Sequence, residues 1–150
     1  MKVEHPILAI DYGDKHFGLA ISDSKGIIAS PLEVLTITKK KNRDIIIEEI
    51  LEIAKEYKVR SLLVGMPQPF TETQQKTSRK VEKFIESLSQ RTNLPILTYD
   101  ESFSTTHAQN MLTSSGQSTQ SSRKKIDKVA ATVFLQEFLN SIAKENEKDF

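Results

Sequence analysis

Ile7-Leu8-Ala9-Ile10-Asp11-Tyr12-Gly13 is the stretch on which the reading of this chain turns. Four consecutive apolar residues describe a buried strand, and a carboxylate followed by a glycine ends the pattern. The continuation, Asp14-Lys15-His16-Phe17-Gly18-Leu19-Ala20-Ile21-Ser22, returns to β-forming residues. Strand, tight turn and second strand follow, with Asp11 where the first strand meets the turn. That position sets a carboxylate at the rim of a core, fixed in place and open to solvent.

Outward from this hairpin, Ser22-Asp23-Ser24-Lys25-Gly26 is a polar turn and Ile27 to Leu35 a third extended segment. Pro31 cannot donate a ladder hydrogen bond, so this strand belongs at a sheet edge or ends near the proline. Lys39-Lys40-Lys41-Asn42-Arg43 is basic and reads as a solvated connection. Residues 46, 47, 50, 51, 53, 54 and 57 then draw the apolar stripe of a helix over 44–57. Val59 to Met66 is a short buried strand stopped by Pro67, and a second helix runs to about Arg91. Ile96-Leu97-Thr98-Tyr99 forms a fifth strand ending at Asp100-Glu101, and Ser104 caps a short helix through Met111-Leu112. Thr113 to Ser122 contains no aliphatic or aromatic residue and is expected to be mobile. A last helix is expected from near Arg123 to about Ala143. The order β-β-β-α-β-α-β-α-α predicts one α/β domain over 1–150. Its five-stranded mixed sheet is an antiparallel meander followed by parallel crossovers, flanked by helices.

The bulk numbers suit a soluble globule and exclude several classes. The 150 residues are 37% hydrophobic and 27% charged, and no apolar run approaches the roughly 20 residues that span a bilayer. Without cysteine there is no disulfide, thiol nucleophile or thiolate metal site. Met1 leads directly into a strand without a signal-peptide pattern, so the expected location is the cytoplasm. A net charge of +1 gives no bulk attraction for a polyanion, which would have to be held by local patches or by cations that neutralise the site's own acids.

Three acidic positions stand out. Asp11 ends the first strand and Asp100-Glu101 the fifth, while Asp127 shares a helical face with Ala131, Phe134 and Phe138. Each alone is an ordinary strand-end or first-turn residue; their conjunction suggests that they meet. Ala130 and Ala131 are small enough for the last helix to lie close to the sheet. Hard oxygen donors with no histidine or cysteine cluster favour Mg²⁺ or Mn²⁺. Carboxylates gathered on such an ion suit hydrolysis of phosphodiesters, in which the ion activates water and stabilises the leaving oxygen.

Asp11-Tyr12-Gly13-x-Lys15-x-x-Gly18-Leu19-Ala20-x-Ser22-Asp23 with Gly26-Ile27-Ile28-Ala29-Ser30-Pro31 resembles the opening of the YqgF family. These are RuvC-like members of the ribonuclease H superfamily, described as Holliday junction resolvases or pre-16S rRNA nucleases. Val64-Gly65-Met66-Pro67 is similar to the family's VGLP strand end, and Asp100-Glu101 through Thr105-Thr106 to its DERLTT segment. Ile126-Asp127-x-x-Ala130-Ala131 is similar to its IDxxAA signature. The match runs in order from about Leu8 to Leu139. It implies the ribonuclease H-like fold and an acidic site of Asp11, Glu101 and Asp127 holding Mg²⁺ or Mn²⁺, with Asp100 second to Glu101. Two departures each remove a positive charge beside that site: His16 and Ser102 stand where the family usually has arginine. Lys15, Arg123, Lys124 and Lys125 remain for phosphate contact, together with the helix start at Ser104-Thr105, whose backbone N–H groups suit an anion.

The resemblance implies a metal-dependent endonuclease whose partner is nucleic acid, a pre-16S rRNA precursor or branched DNA. The chain is expected to act as a monomer or weak homodimer, without a membrane. A non-catalytic nucleic-acid-binding module on the same fold is the alternative that the lost arginines suggest, but three retained acids would serve a phosphate binder poorly. An actin-like ATPase or sugar kinase also opens with Asp-x-Gly on a hairpin. Such proteins close a cleft between two domains, for which 150 residues are too few.

Overall fold

The structure is a computed structural model that describes residues 2–100 and 119–148, with side chains in the last helix from 129 to 146. Five strands form one sheet: β1 (Ile7–Asp11), β2 (His16–Ser22), β3 (Ala29–Thr36), β4 (Ser61–Met66) and β5 (Ile96–Asp100). Their order is β3-β2-β1-β4-β5. β1 is antiparallel to β2 and β2 to β3, whereas β4 lies parallel to β1 and β5 parallel to β4. This is the mixed sheet expected from the sequence. β3 is the edge strand that Pro31 requires, and the register slips between Leu19 and Ala20 so that Leu32 is passed over.

Three helices are described: α1 (Arg43–Glu56), α2 (Glu72–Ser89) and α3 (Thr119–Lys148). Asn42 caps α1 by accepting from the Ile45 N–H at 3.0 Å, and Thr71 with Gln74 forms a reciprocal capping box on α2. α3 corrects the sequence expectation at both ends. It begins at Thr119 rather than near Arg123, so residues 119–122 of the apolar-free stretch are helical, and it continues to Lys148 rather than Ala143. A helical turn needs no apolar residue where it faces water, and the Lys and Glu of the charged tail are strong helix formers. The expected short helix at 104–112 and the segment 113–118 lie outside the described residues.

Side-chain alternation along the strands divides the core into two layers. Leu8, Ile10, Leu19, Leu62 and Val64 point to the face covered by α1 and α2, packing with Ile46, Ile50, Val81 and Phe84. Ile7, Ala9, Ala20 and Leu63 point to the opposite face, against Ala131, Phe134, Leu135 and Phe138 of α3. Ala130 and Ala131 are fully buried, as their small size suggested. The amide of Gln136 ties α3 to the edge strand: its Oε1 accepts from the Ala29 N–H at 2.9 Å and its Nε2 donates to the Ile27 carbonyl at 2.9 Å.

Candidate functional site

Asp11 is the last residue of β1. Its number has the parity of Ile7 and Ala9, so its carboxylate stands on the α3 face of the sheet. It is only 6% exposed, which corrects the expectation of a solvent-open acid: a strand end on the covered face is sheltered by what packs there. Its neighbours in the sheet have no side chains. Asp11 pairs with Gly18 of β2. On the other side Ile10 is beside Val64, which puts Asp11 level with Gly65. Gly65 in turn pairs with Tyr99. The row across the sheet is therefore Gly18, Asp11, Gly65, Tyr99: one carboxylate with a glycine on either hand.

The turn that follows is fixed on the other face. Tyr12 is buried against Phe17 and Phe84, with ring centroids 5.2 and 5.3 Å away, and the Arg43 guanidinium lies over its ring at 5.5 Å. Burial raises the Tyr12 phenol above its ordinary pKa, with Arg43 acting in the opposite direction. Each aromatic pair adds about 0.5–1.5 kcal/mol beyond its burial, and together they anchor the residue next to Asp11. Gly13 is required by the turn: a Cβ there would collide with the His16 carbonyl oxygen.

Asp100 ends β5 on the opposite face from Asp11. Leu97 and Tyr99 pack with the α3 layer and Ile96 with the α1–α2 layer, so Asp100 takes the side of α2. There its Oδ2 accepts a hydrogen bond from Gln68 Nε2. Its carboxylate is thus turned away from that of Asp11.

Tyr99 occupies the same row and face as Asp11 and locks α3 to β5. Its ring stacks on Phe134 at 6.1 Å and meets Phe138 edge-on at 6.0 Å, and its hydroxyl donates to Glu137 Oε2 at 3.1 Å. Burial, and then that hydrogen bond, push its pKa up to about 12. The sequence reading did not single out Tyr99 as part of the site. Its position beside the acidic pair was the available signal, and the partner on α3 was not readable.

The remaining predicted residues divide as follows. Lys15 is exposed in the β1–β2 turn. His16, at a usual arginine position, places Nδ1 3.0 Å from Thr36 Oγ1 on the neighbouring strand. Asp127, Arg123 and Lys124 lie in α3, Asp127 one turn before Ala131, but their side chains are outside the described residues. Glu101, Ser104 and Thr105 fall outside them altogether. Among the described residues no group of three acids or histidines is close enough to hold a metal ion.

Asp11 itself fits a hard cation in two respects. It offers oxygen donors from a rigid strand end, and the glycines on either side put no competing side chain next to it in the sheet. No helix among the described residues is long and apolar enough to cross a membrane.

Comparison with known proteins follows the same lines. The family model described as "RuvX: Holliday junction resolvase" matches residues 5–141. A protein of Desulforamulus reducens named "Putative pre-16S rRNA nuclease" is 42% identical over 141 residues, covering 92% of this chain and 98% of its own. One of the same name from Thermoanaerobacter pseudethanolicus is 37% identical, covering 90% and 96%. Among solved structures, Thermus thermophilus RuvC in complex with a Holliday junction superposes with a TM-score of 0.57 at 16% identity, covering 93% and 96% of the two chains. Fowlpox virus resolvase superposes at 0.54 and 14% identity, covering 92% and 99%. At such identities these structures bear on the fold alone, which is the RuvC-like, ribonuclease H type.

Proposed function

From the chain's membership in the RuvX family, the YqgF family of the sequence resemblance, we propose that it is a metal-dependent endonuclease of structured nucleic acid. Its substrate on this reading is the pre-16S rRNA precursor, trimmed at the 5′ end in the cytoplasm. The observation that carries the proposal is Asp11: a sheltered carboxylate at the end of β1, facing α3, with Gly18 and Gly65 on either side. A protein that only held phosphate would gain nothing from a carboxylate there.

Asp11, Glu101 and Asp127 would hold the Mg²⁺ or Mn²⁺. The helical repeat sets Asp127 one turn from Ala131, which packs over the layer that Asp11 faces. When bound, such an ion polarises the scissile phosphate and lowers the pKa of the attacking water. The chain's own contribution is positional. Tyr12 anchors the turn beside Asp11, and Tyr99 fixes α3 against the sheet. Lys15, Ser104, Thr105, Arg123 and Lys124 are assigned to the phosphates on either side of the cut.

Branched DNA is the second reading, favoured by the description of the matching family. Cleavage of a labelled pre-16S rRNA fragment and a four-way DNA junction, with Mg²⁺, Mn²⁺ or EDTA and beside Asp11→Asn, separates the two. Metal-dependent cutting of the RNA, abolished in Asp11→Asn, is the expected result; preferential cutting of the junction would favour the resolvase. If neither is cut while both are bound equally by Asp11→Asn, the chain is a binding module.

A further inference from the structure

The basic loop 39–43 is exposed, as the sequence suggested. Arg43 is the first residue of α1, and its guanidinium lies over Tyr12. Beneath it a cleft of about 310 Å³ opens between α1 and α2, lined by Tyr12, Arg43, Lys80 and Lys83 among others. Lys76, Lys80 and Lys83 follow i, i+4, i+7 on α2 and are all exposed, so they form one basic stripe down that helix. Two acids face the cations. Asp14 pairs with Lys80 at 2.9 Å, both side chains more than half exposed, and Asp44 pairs with Arg91 at 3.1 Å. Lys83 makes no ion pair among the described residues. Exposed pairs of this kind are weak and yield readily to a phosphate.

We infer that Arg43, Lys80 and Lys83, continued by Lys76, form a second phosphate-binding track for the backbone of the nucleic acid that is cut at Asp11. The inference rests on the nuclease reading for its substrate, but not on catalysis. Tyr12, in the cleft, is the residue next to Asp11, and their side chains stand on opposite faces of the same strand end. A strand leaving the acidic site over the top of β1 therefore meets the cleft next. The chain's net charge of +1 attracts no polyanion over its whole surface, so a local concentration of cations is where binding must come from. The occupant is a phosphodiester backbone, RNA or DNA alike, because cations without base-reading groups contact phosphate and carry no sequence preference.

The test is the salt dependence of binding, measured in the cleavage-silent Asp11→Asn background so that binding is read without turnover. Labelled RNA hairpin and four-way DNA junction are titrated from 50 to 200 mM salt. Each neutralised contact should lower the slope of log K against log salt by about 0.7–0.9. Arg43→Gln/Lys80→Gln/Lys83→Gln together should lower it by about 2–3 and weaken binding by 10-fold or more at low salt. Arg43→Lys/Lys80→Arg/Lys83→Arg, which keeps the charges, should keep the slope. A loss confined to one probe identifies which nucleic acid follows the track.

An unchanged slope in the triple Gln chain, or a wild-type chain that binds neither probe, overturns the inference. The nuclease reading fails separately: the track stands if the slope falls while the unsubstituted chain cuts nothing. It falls if the unsubstituted chain cuts and the triple Gln chain binds normally.

Discussion

Gly13→Ala is the smallest change that should reach the site through the backbone. A Cβ at Gly13 would sit well inside the 3.0 Å that real Cβ atoms keep, against the carbonyl oxygen of His16. Ordinary contact begins at 3.4 Å, so the turn must open by about 1 Å. A main-chain carbonyl cannot swing aside as the tip of a long side chain would. Tyr12, held between Phe17, Phe84 and Arg43, resists movement on one side, so part of the displacement passes to Asp11. Strain of this kind costs about 2 kcal/mol, or roughly 4–8 °C in Tm for a chain of this size. A catalytic group misplaced by about 1 Å loses about 10²-fold in rate. Melting followed by circular dichroism and single-turnover cleavage read the two effects separately. A Gly13→Ala chain that melts and cleaves as the parent does would refute the argument that this turn fixes Asp11.

Two further outcomes follow from contacts on α3. Gln136→Ala removes both hydrogen bonds to the start of β3 and should cost about 1–3 kcal/mol, with faster amide exchange at Ala29 and cleavage retained. Tyr99→Phe should change the alkaline limb of stability. The Tyr99 pKa is raised in the folded chain to about 12, so its contribution is whole below the ordinary value of about 10 and is lost as pH rises through 12. Melting temperatures from pH 8 to 12 should therefore fall less steeply in Tyr99→Phe than in the parent.

The sheet was legible because its signals are local. Apolar runs and short polar turns give the meander, a helix between buried strands gives each crossover, and Pro31 marks the edge. Helix starts at Asn42 and Thr71 are written in their capping side chains. α3 was misjudged at both ends because apolar periodicity was the criterion, and its solvent-facing turns have none. The shelter around Asp11 and the turning away of Asp100 depend on register between strands and on which helix covers which face. Those are tertiary facts, and a run such as Ile96-Leu97 is apolar on both sides and does not declare them. The basic stripe of α2 was present in the spacing of Lys76, Lys80 and Lys83. Its meaning came only with Arg43 seated over Tyr12 across the cleft.

The central claim is that Asp11, Glu101 and Asp127 meet on one divalent ion. Crystals grown with Mn²⁺ and measured at the manganese absorption edge test it directly. The account predicts an anomalous peak in inner-sphere contact with carboxylate oxygens of all three residues, and its disappearance in Asp11→Asn. A peak held by Asp100 instead of Glu101, or an ion bound away from Asp11, would contradict it.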